Sequence, residues 1–242
     1  MRYAIFGDIH GNTEALGAVL LDMERAGADR RICLGDVVGY GAEPGECVRT
    51  VRDAGIETVQ GNHDSAAIGE TPLDYFNPYA KKAIEWTSGA IGADESAWLR
   101  RLPLTIEGDG FTVVHSSLSR PREWGYILDW ASARRCFDLL SSTVCFIGHS
   151  HVPIIFKKEE DGSIADLPEL SAPLAPPARY IVNVGSVGQP RDGDPRASYG
   201  LFDSGGRTVE IRRVEYDYRS AQKKIIDAGL PEFLAMRLEA GR

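Results

Sequence analysis

The chain has five histidines, His10, His63, His115, His149 and His151, and each stands at or just past the end of an apolar run that reads as a strand. Asp8 and His10 are two apart in the stretch Gly7-Asp8-Ile9-His10-Gly11-Asn12. An acid and an imidazole on a glycine-flanked turn can both point at one metal ion, because glycine lets the backbone bend without a Cβ clash. Asp36 follows Gly35, and Asn62, His63 and Asp64 follow Gly61. A lone histidine is more often structural or solvated, but that reading has to account for all five together with Asp8, Asp36 and Asn62. Imidazole nitrogen combined with carboxylate oxygen suits Mn, Fe, Co or Zn, whereas an all-oxygen set would suit Mg or Ca. No cysteine belongs to the set, which speaks against a structural zinc site. The set is large enough for two ions, held roughly 3.5–4 Å apart and bridged by a carboxylate, and Asp36 is the expected bridge.

These residues have to be carried to one place. Residues 3–6 read as a strand, and Asn12 as the cap of a helix that buries Leu16, Val19, Leu20 and Met23 before Gly27 ends it. A second strand over 31–34 runs into Gly35-Asp36, a helix runs from Pro44 to Gly55, and a third strand over 56–60 delivers residues 61–64 as a turn. Strand, polar turn and helix, repeated, is the signature of a right-handed parallel α/β arrangement. It brings the turns to one edge of the sheet, where open α/β sheets place their chemistry.

Residues 71–102 read as two helices, with Asn77-Pro78 opening the first, and form a small insertion or cap on the sheet. A hairpin turning at Gly108-Asp109-Gly110 delivers His115, a polar and aromatic loop follows to Tyr126, and Asp129 caps a helix that runs to Leu140. A strand over 144–147 ends in Gly148-His149-Ser150-His151, and another follows over 152–157. The proline- and alanine-rich run 167–178 reads as an extended surface connection. Strands over 180–183, 198–202 and 208–214 and helices over 219–228 and 231–239 complete the chain. With neither an internal repeat nor a low-complexity tract, residues 1–242 are expected to form a single domain.

With 43% apolar and 26% charged residues, the 242-residue chain has the composition of a soluble globular protein. Its net charge of −8 argues against general binding to nucleic acid or to an anionic membrane, both of which favour a basic surface. A small anionic substrate held by metal ions is compatible with that charge. No signal peptide and no apolar run of transmembrane length can be read. The four cysteines show no Cys-x-x-Cys spacing, so buried inert thiols and a cytoplasmic location are expected.

The blocks Gly7-Asp8-Ile9-His10-Gly11, Gly35-Asp36, Gly61-Asn62-His63-Asp64, His115 and Gly148-His149-Ser150-His151 resemble, in order, those of the calcineurin-like metallophosphoesterase superfamily. Within it they are most similar to the small bacterial phosphodiesterase-like group, whose Asn-x-Gly-Ser loop also resembles residues 183–191. The resemblance implies an α/β fold, a four-layer αββα sandwich. It implies one metal held by Asp8, His10, Asp36 and His151, and a second held by Asp36, Asn62, His115 and His149. His63 is left outside both shells as general acid, oriented by Asp64, with a metal-bridging hydroxide as nucleophile. The implied cofactors are two divalent transition-metal ions, Mn, Fe or Zn.

Where the superfamily's protein Ser/Thr phosphatases carry Asp-Arg-Gly and Glu, this chain has Gly39-Tyr40-Gly41 and Asp64. A phosphate-gripping arginine is therefore missing from the second block, and Arg120, Arg122, Arg191 and Tyr40 are the candidate substrate-binding residues in its place. Trp124 and Tyr126 either flank a base or sugar or pack the loop. The leading expectation is a phosphodiesterase acting on a small phosphate ester or nucleotide-like substrate. The alternatives are a phosphomonoesterase, a phosphoprotein phosphatase, a dinucleoside polyphosphate hydrolase and a non-catalytic metal-binding scaffold. Whether the chain forms homo-oligomers is left open by the sequence.

Overall fold

In a computed structural model, which describes residues 1–242, the first apolar run becomes strand β1 (Arg2–Phe6). Its side chains alternate between two environments, as strand geometry requires. Ala4 and Phe6 enter a core shared with helices, while Tyr3 and Ile5 enter a core shared with a second sheet. Helix α1 (Thr13–Arg25) begins where Asn12 accepts from the Ala15 amide at 3.0 Å, which satisfies an amide that the first turn leaves unpaired. Strand β2 (Arg30–Cys33), helix α2 (Pro44–Asp53) and strand β3 (Glu57–Thr58) follow, and β3-β2-β1 run parallel.

Helices α3 (Asn62–Ala67), α4 (Pro78–Ala90) and α5 (Ala93–Arg100) come next. The hairpin of β4 (Thr105–Gly108) and β5 (Phe111–Val114) leads to α6 (Trp130–Phe137), β6 (Val144–Ile147), β7 (Ile154–Lys158), β8 (Ile164–Leu167), β9 (Ser171–Pro173) and β10 (Arg179–Asn183). Strands β11 (Ala197–Asp203) and β12 (Thr208–Val214) and helices α7 (Tyr218–Asp227) and α8 (Glu232–Ala240) end the chain. One six-stranded sheet has the order β3-β2-β1-β11-β12-β9, and the other β4-β5-β6-β10-β7-β8.

The sheets face each other through Ile5, Ile32 and Phe202 on one side and Phe111, Phe146 and Val182 on the other. Fully burying each such side chain is worth about 1.5–3 kcal/mol. Outside the first sheet lie α1 and α2 with Leu16, Val19, Val48 and Val51; outside the second lies α6 with Ala133, Cys136 and Phe137. The result is the four-layer αββα sandwich. Ile84 and Leu99 bring α4 and α5 into the same core as α2, so the insertion over 71–102 extends the helical layer. All four cysteines are buried and unpaired, and no helix is long and apolar enough to cross a membrane.

Three expectations need correction. The run 167–178 is not merely a connection: Leu167 closes β8, and β9 pairs with β12 at the rim of the first sheet. Edge strands tolerate proline because only one side needs a partner. The third strand is two residues long instead of five. Finally, Asn62 opens a short helix, α3, where a turn was expected.

Candidate metal centre

The parallel pairing of β1 with β2 and of β5 with β6 sends the strand ends toward a common edge. Asp8 and Asp36 leave the first sheet there, and His115, His149 and His151 leave the second. Five of the seven candidate ligands hold positive φ: Asp8 (51°), His10 (51°), Asp36 (49°), His149 (68°) and His151 (61°). Such a backbone costs a non-glycine residue about 1–3 kcal/mol and persists only where the surroundings impose it. Gly61 and Gly148 serve a different need, since a Cβ on either would collide with the carboxylate of Asp36 or Asp8.

All seven candidate ligands are buried, and they form two linked groups. In the first, His151 Nε2 lies 3.1 Å from His10 Nε2 and 3.3 Å from Asp8 Oδ1. In the second, His115 Nε2 lies 3.1 Å from Asn62 Oδ1 and 3.2 Å from His149 Nδ1. Asp36 Oδ2 belongs to both, 3.7 Å from His10 Nε2 and 3.4 Å from His115 Nε2.

The outward nitrogens decide what the inward ones can do. His10 Nδ1 faces the Val38 carbonyl at 3.0 Å, His115 Nδ1 the Leu34 carbonyl at 2.8 Å, His151 Nδ1 the Gln189 carbonyl at 2.6 Å and His149 Nε2 the Trp124 carbonyl at 2.8 Å. A carbonyl can only accept, so each of these nitrogens carries the proton and, in a neutral ring, the other nitrogen presents a lone pair to the centre. His10 and His151 thus oppose each other lone pair to lone pair beside two carboxylates. This arrangement lacks a positive charge, and the nitrogen and oxygen donors fit a divalent transition metal.

The charges agree with that deficit. Burial holds His10 and His151 below their ordinary range, and His149 at about 3. Burial opposes a charge on His115 too, but the Asp36 carboxylate overcomes it and pushes the ring up to about 9. In the protein without metal a proton therefore stands on His115 Nε2, among Asn62, His149 and Asp36.

His63 is buried beside this set, its ring centroid 4.8 Å from that of His10 and 4.4 Å from that of Tyr40. One of its ring nitrogens falls within 4.8 Å of donor atoms of His10 and Asp36, yet it makes none of the sub-4 Å contacts with a carboxylate that His10, His115 and His151 make. Its Nδ1 has no hydrogen-bond partner, and burial holds the ring down at about 4. Asp64 does not orient the ring as expected. Its oxygens accept from the amides of Val37 (2.9 Å), Val38 (3.2 Å) and Gly61 (3.0 Å), and so brace the loop carrying Asp36.

A cavity of about 690 Å³ opens over Asn62, His63 and His149, and Arg122, Arg191 and Tyr40 also line it. Arg191 is propped by neutral groups, Gln189 Oε1 at 2.9 Å and the Tyr40 hydroxyl at 3.3 Å. The expectation for Arg120 needs correction: it lines a neighbouring depression instead of this cavity and pairs at 3.2 Å with Glu123, which borders both. Arg120 has a left-handed backbone (φ 53°).

Sequence reasoning missed the four orienting carbonyls, because a main-chain oxygen has no residue signature. The loop after β10 carried a signal, and its role is now visible. Asn183 Nδ2 donates to the Gly148 carbonyl at 2.7 Å, and Ser186 Oγ donates to the Asp8 carbonyl at 2.9 Å, so the two bind the ligand-bearing turns together.

The sequence model of the calcineurin-like phosphoesterase superfamily domain matches residues 1–206. An uncharacterized protein of Methanocaldococcus jannaschii is 42% identical over 245 residues, covering 99% of this chain and 98% of that protein. A symmetrical bis(5'-nucleosyl)-tetraphosphatase of Actinobacillus pleuropneumoniae is 32% identical over 192 residues, covering 76% of this chain and 66% of that enzyme. The crystal structure of a metallophosphoesterase from Sphaerobacter thermophilus is similar with a TM-score of 0.87 at 41% identity, covering 100% of this chain and 99% of that one.

Proposed function

The chain belongs to the calcineurin-like phosphoesterase superfamily and is a phosphate ester hydrolase, and from that premise we propose that it is a phosphodiesterase dependent on two metal ions. In this reading residues 1–242 act as one domain. Asp8, His10, Asp36 and His151 would hold one ion, and Asp36, Asn62, His115 and His149 the other, with Mn, Fe or Zn as the metals this donor set suits. The observation that carries the reading is the pair of facing, unprotonated nitrogens of His10 and His151 beside Asp8 and Asp36, with Asp36 Oδ2 reaching both groups of candidate ligands. When bound, two such ions supply Lewis-acid charge for a phosphate oxygen and water acidified toward neutral pH.

The protein's own groups do the rest. The four carbonyls fix the ring orientations, so the donor atoms need little rearrangement. Arg191, with no carboxylate partner, offers its guanidinium to a phosphate oxygen, and Tyr40 and Gln189 hold it in place. Arg122 lines the same cavity and adds positive charge. His63 gives a proton to the leaving oxygen. Its ring is neutral in the free protein, and the negative charge of a seated phosphate raises its affinity for that proton. Asp64 positions the Asp36 loop through the three amides it accepts.

A second reading, hydrolysis of a dinucleoside polyphosphate, is favoured by the Actinobacillus relative's stated activity. One experiment separates the readings. After chelation and reconstitution with Mn²⁺, bis(p-nitrophenyl) phosphate, p-nitrophenyl phosphate and diadenosine tetraphosphate are compared, with metal content measured in parallel. Faster cleavage of the diester is expected. Preference for the tetraphosphate moves the assignment to the second reading, and cleavage of the monoester alone makes the protein a phosphomonoesterase. Two bound metals with no hydrolysis would overturn the catalytic reading in favour of a scaffold.

A further inference from the structure

Tyr126 lies flat against His149, with ring centroids 4.0 Å apart and planes at 18°. The imidazole covers one face of the phenol ring. The residue is nevertheless 49% exposed and lines the cavity over Asn62, His63 and His149. The chain leading to it is anchored at Trp124 from two directions. Two residues earlier the Trp124 carbonyl accepts from His149 Nε2 at 2.8 Å, and the Trp124 indole N–H donates to Thr71 Oγ1 at 3.2 Å across the cavity wall. Tyr126 is thus a ring held parallel to a side chain of the reactive centre, with no second ring stacked on its outer face, and it borders both this cavity and the neighbouring depression of Ser117, Arg120 and Arg135. Tyr75, 83% exposed, lines the same cavity from the turn Leu73–Tyr75.

A planar ring laid on the outer face of Tyr126 would stand about 3.5 Å beyond it, with the phenol between it and His149. That places the ring about 7.5 Å from the His149 imidazole, a candidate metal ligand. The volume of about 690 Å³ is far more than a phosphate needs and lies within the range of roughly 300–1,000 Å³ typical of drug-sized ligands. Preorganisation also matters, because a platform already held by stacking on His149 loses little entropy when a ligand lands on it.

We propose that the outer face of Tyr126 is a stacking platform for a nucleobase, so that the substrate is an ester of a nucleotide and not of a simple sugar or lipid alcohol. This rests on the phosphoesterase reading above and adds to it the group at the far end of the substrate.

The test is calorimetry on the Mn²⁺-reconstituted protein with adenosine 5'-monophosphate, ribose 5-phosphate and inorganic phosphate as probes. The nucleotide is expected to bind about 5- to 100-fold more tightly than ribose 5-phosphate, the range of base–aromatic stacking. Tyr126→Ala should bring the two within about twofold, and Tyr126→Phe should keep the preference. Metal content is read for each variant, since Tyr126 packs on His149. Should alanine release metal, Tyr126→Leu, which covers the imidazole without a π-face, carries the same expectation. Equal binding of nucleotide and ribose 5-phosphate to the wild type, or an undiminished preference in the variants, overturns the proposal while leaving the phosphoesterase reading intact. If the metal-loaded protein binds none of the three probes, both fall.

Discussion

His10 Nε2 and His151 Nε2 stand 3.1 Å apart with no hydrogen between them, since the Val38 and Gln189 carbonyls draw the protons to the opposite nitrogens. Two lone pairs face each other beside Asp8 and Asp36, and the folded chain is short of positive charge where it is most buried. Metal that binds the folded state should therefore stabilise it. At a free concentration a thousandfold above Kd each ion contributes about 4 kcal/mol. For a domain of this size that corresponds to roughly 8–16 °C in Tm. Differential scanning fluorimetry before and after chelation reads the effect, and a Tm that does not move would contradict it.

Asp36 and Asp8 should behave differently. Asp36 Oδ2 approaches both histidine groups, 3.7 Å from His10 and 3.4 Å from His115, whereas Asp8 Oδ1 meets His151 and His10. Asp36→Ala should lower metal content from two per chain toward zero, and Asp8→Ala should lower it toward one. Elemental analysis of dialysed protein distinguishes them, and equal losses would argue against a shared oxygen.

Much of this centre is legible in the sequence because its residues sit where strand periodicity breaks: Gly7-Asp8 and Gly35-Asp36 interrupt apolar runs, and a break of that kind is local. What stays hidden depends on the path of the chain in space. Strand β9 is held in its sheet by β12, not by the propensity of a proline-flanked run. The Trp124 carbonyl reaches His149 only because residues 124 and 149, far apart in sequence, share one wall. Arg120 and Arg122 look equivalent as letters, yet the path of the chain sets Arg122 in the cavity wall and Arg120 in the neighbouring depression.

That difference can be tested. Arg191→Ala should lower kcat/KM on the diester by about 10- to 100-fold, the loss of a charge-assisted contact of 1.5–3 kcal/mol. Arg120→Ala, removing a side chain that pairs with Glu123 at 3.2 Å but does not itself line the cavity, should change it less than twofold. Steady-state kinetics on both variants decide the matter, and the reverse order would restore Arg120 as a substrate contact.

His115 sets a pH dependence for metal binding. Without metal its pKa is raised to about 9 from an ordinary 6.5, so the folded state binds the proton more tightly than the unfolded chain does. The stability this adds to the metal-free protein is complete below pH 6.5 and is lost as pH rises through about 9. An ion at this site has to displace the proton. Binding near pH 7.5 should therefore release about one proton, and apparent affinity should rise about tenfold per pH unit until it levels off near 9. Titration calorimetry in two buffers of different ionisation enthalpy counts the proton, and a count of zero would show that His115 is neutral before metal arrives.

His63 is the remaining ring, and its geometry separates binding from chemistry. It lies in the cavity wall with Nδ1 unpaired, apart from the sub-4 Å contacts that link His10, His115 and His151 to the carboxylates. Removing it should therefore leave two metals bound. A general acid matters in proportion to the basicity of the oxygen it protonates, so the cost depends on the leaving group. His63→Ala should lower kcat by about 10²–10⁴ on a diester with an alkyl leaving group and far less on bis(p-nitrophenyl) phosphate, whose nitrophenolate departs without a proton. Parallel kinetics on the two substrates, with metal content in hand, give the comparison. An equal loss on both, with metals retained, would move His63 from proton donor to a residue that positions the phosphate, and loss of a metal would place it among the ligands.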